Sequence, residues 1–261
     1  MIYIGCCGHT DTYQTILQMG YDYVELSARQ IMQLSDEEFK EFLKIYDQNK
    51  LPCRGFNDYC SEKYPIVGPQ SGSIACQEYA RKVCERGNSL GIQSIGIGAP
   101  SARILPKGYG TDQANSDMVR FLQYICPIAS EYGITILLEA VHKYLCNYLN
   151  STDEVLDIVK ALDIPNLAIV LDYYHAKVMG EDLNSLSYVM PYVRHLHIST
   201  DLDGHYRGFM REQDVDMMRE LLRAAAMDGY DGGISVEAVP DRLKRDGGAC
   251  SKWMRMALPD A

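Results

Sequence analysis

Apolar residues along this chain fall in short bursts, each followed by a longer stretch with helical spacing. The bursts cover residues 2–7, 23–26, 51–56, 94–98, 135–140, 167–171, 193–198 and 233–238, eight in all. They do not alternate strictly between apolar and polar. Runs that are apolar on both faces suit parallel strands buried between helices and a core. The stretches between them read as helices. Residues 35–48 open with Ser35 and place Glu38 three positions on, the signature of a capping box. Residues 72–91 end on Gly91, residues 151–163 start at Ser151 with an acidic first turn, and residues 213–229 carry apolar side chains at helical spacing. Eight strands alternating with helices predict a (β/α)8 TIM barrel of the α/β class. No linker-like segment interrupts the pattern, so one domain over residues 1–261 is expected. The loops 57–71 and 99–113 are long, carry Pro and Gly, and follow strands at the end where barrels place their chemistry. They are candidate lids.

Composition narrows the partners. The 261 residues are 47% hydrophobic and 23% charged, with a formal net charge of −10. That balance argues against nucleic acid and anionic membranes, which call for a basic face. No apolar run is long enough to span a bilayer. The nine cysteines form no C-x-x-C pair, and several lie inside apolar runs. Reduced, packed thiols in a cytoplasmic protein are expected. The first residues, MIYIGCCGHTD, lack the basic region of a signal peptide.

Polar residues inside apolar bursts carry the chemical signal, because burying them unpaired costs about 2–7 kcal/mol. Glu139, Asp172 and Glu237 stand at the ends of bursts five, six and eight, and burst seven holds His195 and His197. In a barrel these ends converge on the mouth. Three carboxylates and one imidazole form an O3N set suited to one divalent ion, with Mn2+ first and Mg2+, Co2+ or Zn2+ as alternatives. His195 and His197 share a strand face one layer apart. His197, nearer the mouth, is expected to ligate, and His195 to be a hydrogen-bonded core residue. Glu25 is expected to brace the mouth, His9 and Lys107 to sit in loops, and Trp253 to dock the last helix. Asn57 follows the third burst and is a candidate for a sugar hydroxyl or for a turn.

The segments GYDYVEL (20–26), LGIQSIGIG (90–98), YGITILLEAVHK (132–143), 149–175 through LDYYH, HLHIS (195–199) and GYDGGISVEA (229–238) resemble the sugar isomerase/epimerase superfamily with the xylose isomerase-like barrel. The resemblance implies Glu139, Asp172, His197 and Glu237 as metal ligands, with His175, in DYYH, and Arg207 as substrate contacts. ARILP (102–106) resembles an arginine-bearing loop of one branch and places Arg103 among the substrate-binding candidates. One departure stands out. Known epimerases carry E-x-x-N-x-x-E from the strand-five ligand, whereas this chain reads EAVHKYL, with His142 for the asparagine and Leu145 for the second glutamate. His142 joins the candidates as a new titratable group near the site.

The expected activity is isomerisation or epimerisation of a sugar or sugar phosphate by proton abstraction next to a carbonyl, through an enediolate. Glu139 and Glu237 would act as the acid/base pair. A metal-dependent dehydratase of the inosose dehydratase kind needs the same ligands and is the alternative. An endonuclease IV-like nuclease is disfavoured by six histidines and the acidic charge. A retired, non-catalytic sugar-binding barrel is disfavoured by the complete ligand set. The oligomeric state, including a homo-oligomer, is left open by the sequence.

Overall fold

The computed structural model describes residues 2–49, 51–202 and 206–259. Every apolar burst forms a strand: β1 Tyr3–Gly8, β2 Tyr23–Ser27, β3 Cys53–Asn57, β4 Ser94–Ile97, β5 Thr135–Glu139, β6 Leu167–Asp172 and β7 Val193–Ile198. A small hairpin follows, β8 Thr200–Leu202 with β9 Tyr206–Gly208, and then β10 Gly233–Val236. The eight long-range strands close into a parallel barrel in the order β1-β10-β7-β6-β5-β4-β3-β2. β3 starts two residues later than expected. Pro52 has no N–H for the ladder, and its carbonyl instead accepts from Val24 N at 2.9 Å. The hairpin was not anticipated. Its two short strands carry too little apolar character to signal a burst, yet their register, Asp201 opposite Arg207, fixes Arg207 over the barrel mouth.

Helices α1 Tyr13–Leu17, α2 Ala28–Gln33, α3 Asp36–Asp47, α4 Ile74–Ser89, α5 Thr111–Ser130, α6 Thr152–Leu162, α7 Tyr173–Met179, α8 Val215–Met227 and α9 Leu243–Ala257 complete the chain. The expected capping boxes form at Ser35 with Glu38 and at Ser151 with Glu154. Each satisfies two amide donors that a helix start otherwise leaves open. Gly91 lies one residue past the α4 cap at φ +71, where a side chain would be strained. Trp253, on α9, is half-buried against the core. No helix among the described residues is long and apolar enough to cross a membrane.

The strands are buried on both faces, as a filled barrel requires. Tyr23 crosses the barrel floor, and Gly5 makes room for it: a Cβ there would meet the tyrosine ring at 2.3 Å. Both long loops are anchored in their middle. Ile66 N donates to Ala102 O at 2.8 Å, and the buried Asp117 of α5 accepts from Gly68 N at 2.8 Å and Tyr109 Oη at 2.6 Å. Only their first residues reach the mouth. Register irregularities fall at Val24/Glu25 and Ile169/Val170, one beside Glu25 and the other two residues before Asp172. Bulges of this kind commonly re-aim side chains beside functional sites.

Candidate metal centre and active site

Pairing across the barrel builds the site from its strand ends. Asp172 of β6 lies in register with His197 of β7. Glu139 closes β5, and Glu237 follows β10, its amide donating to Ile198 O at 3.0 Å. The four side chains offer three carboxylate oxygens and one imidazole nitrogen, all within 4.8 Å of one another. His197 Nδ1 lies 3.2 Å from Glu237 Oε2, 3.3 Å from Glu139 Oε1 and 3.8 Å from Asp172 Oδ2.

The opposite face of the His197 ring is held from below. Its Nε2 is 3.1 Å from Glu25 Oε2, the same oxygen that lies 2.8 Å from His195 Nε2. His195 is also 3.2 Å from Ser235 Oγ, which donates to Tyr23 Oη at 3.0 Å. A carboxylate on the far nitrogen fixes ring orientation and tautomer, as in many metal sites. Glu25 is thereby held well below the usual carboxylate range: burial opposes this, and the two imidazoles overcome it. His197 moves the other way, well up, because Glu25 outweighs the effect of burial.

Arg207 bridges the upper part of the site. Its Nη2 pairs with Asp172 Oδ2 and, at 2.9 Å, with Glu237 Oε2. Its Nε donates to the Glu237 carbonyl at 2.9 Å, and its Nη1 lies 3.0 Å from His175 Nε2. A guanidinium only donates, so His175 Nε2 accepts and the proton of a neutral ring sits on Nδ1. Burial keeps that ring neutral, pushing its pKa down to about 3. Asp172 also caps α7, accepting from Tyr174 N at 2.7 Å and His175 N at 3.1 Å. Burial would raise its pKa, but Arg207 and the neighbouring imidazoles depress it. Glu237 is likewise lowered by Arg207 against burial, whereas burial raises Glu139 to about 7.

Above them opens a cavity of ≈ 290 Å³ lined by Glu139, His175, Arg207, Glu237 and Asn57, among others, while Asp172 and His197 are not part of its lining. The structure sets Glu139, His175, Arg207, Glu237 and Asn57 at one mouth, and Arg103 and His142 away from its lining. Arg103 was expected among the substrate contacts, but it does not line the cavity. The short 3-10 turn Pro100–Arg103 leaves its guanidinium fully buried, with no hydrogen-bond partner for its nitrogens among the described residues. His142 was expected beside the substrate but is buried behind His175, ring centroids 4.9 Å apart, and does not line the cavity either. Leu145 does line it.

Sequence reasoning missed several residues. Cys7 lines the wall with Sγ 3.6 Å from Glu25 Oε2, and its only signal was its place at the end of the first burst. The Arg29–Asp58 pair, 3.0 Å apart, joins helix α2 to the loop after β3 and has no local signature. Gly98 lines the cavity where a Cβ would come within 2.4 Å of Glu139 Oε2. His9, expected in a loop, also lines the cavity.

The model of the xylose isomerase-like TIM barrel family matches residues 13–255. The chain belongs to that family. Within this xylose isomerase-like family it is 32% identical over 111 residues to a ketose 3-epimerase of Arthrobacter globiformis, covering 42% of this chain and 37% of that protein. It is 28% identical over 130 residues to an inosose isomerase of Halalkalibacterium halodurans, covering 46% and 44%. The chain spans less than half the length of either relative. Among solved xylose isomerase-like barrels, D-psicose 3-epimerase of Clostridium cellulolyticum H10 superposes with a TM-score of 0.79 at 17% identity, over 99% of this chain and 100% of that one. The 3-keto-D-glucoside 4-epimerase of E. coli gives 0.77 at 16%, over 98% and 99%. At these identities the likeness speaks for the fold.

Proposed function

We propose that this protein is a divalent-metal-dependent sugar isomerase or epimerase that moves a proton on a carbon next to a carbonyl. One observation carries the reading: Glu139 and Glu237, from strands separated by β6 and β7, both line one cavity and both approach His197 Nδ1. The names of the ketose 3-epimerase and inosose isomerase relatives support it.

The donor set fits a divalent cation. Glu139, Asp172 and Glu237 bring three carboxylates and His197 an imidazole to one point, with the single guanidinium of Arg207 beside them. Hard oxygens with one imidazole suit Mn2+ first, with Mg2+, Co2+ and Zn2+ able to compete. Glu139, Asp172, His197 and Glu237 would hold the ion, which when bound supplies Lewis-acid polarisation of the substrate carbonyl. The remaining work falls to side chains. One glutamate takes the proton from the carbon beside the carbonyl, and the other returns one to the opposite face. Returned to the same carbon, the proton gives an epimer; returned to the neighbouring carbon, it gives an aldose–ketose pair. Acid–base assistance of this kind contributes on the order of 10²–10⁴ in rate. His175 lines the cavity with its ring held by Arg207, whose Nη1 donates to Nε2. Asn57 donates to a sugar hydroxyl.

The test is incubation of the Mn2+-loaded protein with a panel of ketoses in D2O, followed by NMR. Deuterium entering the carbon next to the carbonyl without loss of water supports the reading, and Glu237→Gln should abolish it. Stoichiometric loss of water would instead identify a dehydratase.

A further inference from the structure

The His197 ring offers two nitrogens, and the acid cluster uses one of them. Nδ1 faces Glu139, Asp172 and Glu237, whereas Nε2 lies against Glu25 and Cys7. Cys7 of β1 is in register with Glu25 of β2, so the two side chains enter the barrel at one level. Three unlike donor atoms meet there. Cys7 Sγ is 3.6 Å from Glu25 Oε2 and 4.0 Å from His197 Nε2, and the oxygen and nitrogen are 3.1 Å apart.

These separations resemble the edges of a coordination shell. A four-coordinate Zn2+ with its usual bonds to sulfur, nitrogen and oxygen spaces its ligand atoms by about 3.3–3.7 Å. All three edges at Cys7, Glu25 and His197 lie within about 0.5 Å of that range. Outer support is present too. Glu25 Oε2 also meets His195 Nε2 at 2.8 Å, the kind of partner that holds a liganding carboxylate in place.

Access and chemistry distinguish this group from the acid cluster. Cys7 lines the cavity, while the other eight cysteines are buried, so an ion coming through the mouth meets this thiol. The free thiol keeps its proton, because burial and the charge of Glu25 push its pKa well up, and a bound ion takes that proton's place. Oxygen donors with one imidazole suit hard ions, whereas a thiolate selects Zn2+ and softer ions.

We infer that Cys7, Glu25 and His197 form a second metal site, for a thiophilic divalent cation of the Zn2+ class, on the side of the His197 ring turned away from the acid cluster. The inference stands apart from the sugar-isomerase reading, because occupancy is read without turnover.

The experiment titrates the chelator-treated full chain, under reducing conditions, with Cd2+ as the thiophilic probe. It follows the ultraviolet charge-transfer band of a thiolate–Cd2+ bond. A saturable band should appear, and excess Zn2+ should bleach it. Cys7→Ala should remove the band. Glu237→Gln, a change in the acid cluster, should keep it. Circular dichroism confirms that each variant is folded, and 113Cd NMR of the unaltered chain supplies a reading that needs no variant: a resonance from one sulfur with nitrogen and oxygen ligands. No band up to about 1 mM Cd2+ overturns the inference. So does a band that survives in folded Cys7→Ala or resists Zn2+, or a resonance from two or more thiolates. A band lost in folded Glu237→Gln would place the thiol in the acid cluster's own site and overturns it too.

Discussion

His197 and Glu25 meet inside the barrel with Nε2 and Oε2 3.1 Å apart, so the ring turns Nδ1 towards the three acids. Glu25 touches none of the mouth acids, and its effect passes through His197. Such outer partners typically change metal affinity by about 10–100-fold. Glu25→Gln should weaken Mn2+ binding by about that factor while the fold persists, as read by competition with a chromogenic chelator and by circular dichroism. Unchanged affinity would show that His197 needs no brace.

Gly98 predicts a second effect. A Cβ at this position meets the Glu139 carboxylate at 2.4 Å, and the carboxylate is the partner free to move. Gly98→Ala should displace it and reduce turnover by at least about tenfold, since misplacement of an ångström costs rate steeply. Melting temperature should change little, because the clash falls on a flexible side-chain end. A steady kcat in this variant would separate Glu139 from the chemistry.

Metal removal should destabilise the fold. A ligand at 100 times its Kd adds about 2.7 kcal/mol, which for a chain of this size raises Tm by roughly 5–10 °C. Differential scanning fluorimetry with stepwise Mn2+ after chelator treatment should show that rise, and Asp172→Asn should flatten it.

Arg207 selects the His175 tautomer through the 3.0 Å contact of Nη1 with Nε2. Lysine cannot reproduce a fork that also holds Asp172 and Glu237. Arg207→Lys should lower kcat by at least about tenfold and let the Nε2–H tautomer appear in imidazole 15N spectra. A spectrum that stays wholly Nδ1–H in the variant would contradict the tautomer assignment.

Asp117 ties the two long loops to α5, and its pKa is lowered: burial opposes this, while Tyr109, Gly68 N and Gln113 favour the charged form. A depressed carboxylate stabilises fully above its unfolded pKa of about 4, and the contribution fades as pH falls through the lower folded value. Asp117→Asn should therefore cost about 1–2 kcal/mol at pH 7 and make the stability profile flatter below about pH 4. Urea titrations at several pH values measure both.

Much of the architecture was readable from the chain because buried parallel strands announce themselves as apolar bursts and capped helices as Ser–Glu spacings. Glu139, Asp172 and His197 were legible for the complementary reason: a charge inside an apolar run has to be justified by a partner. That Arg103 and His142 are buried behind the cavity wall was not legible, because loop side chains are aimed by local turns that spacing does not encode. The β8–β9 hairpin and the Arg29–Asp58 pair escaped for a related reason. Each depends on two segments meeting in space, and neither segment alone carries the pattern.

β10 pairs with both β7 and β1, and Glu237 follows it directly. The seam that shuts the ring is therefore also the footing of this acid: loosening either edge of the stave, at Cys6 opposite Val236 or at Ile198 opposite Val236, would shift Glu237 along with it.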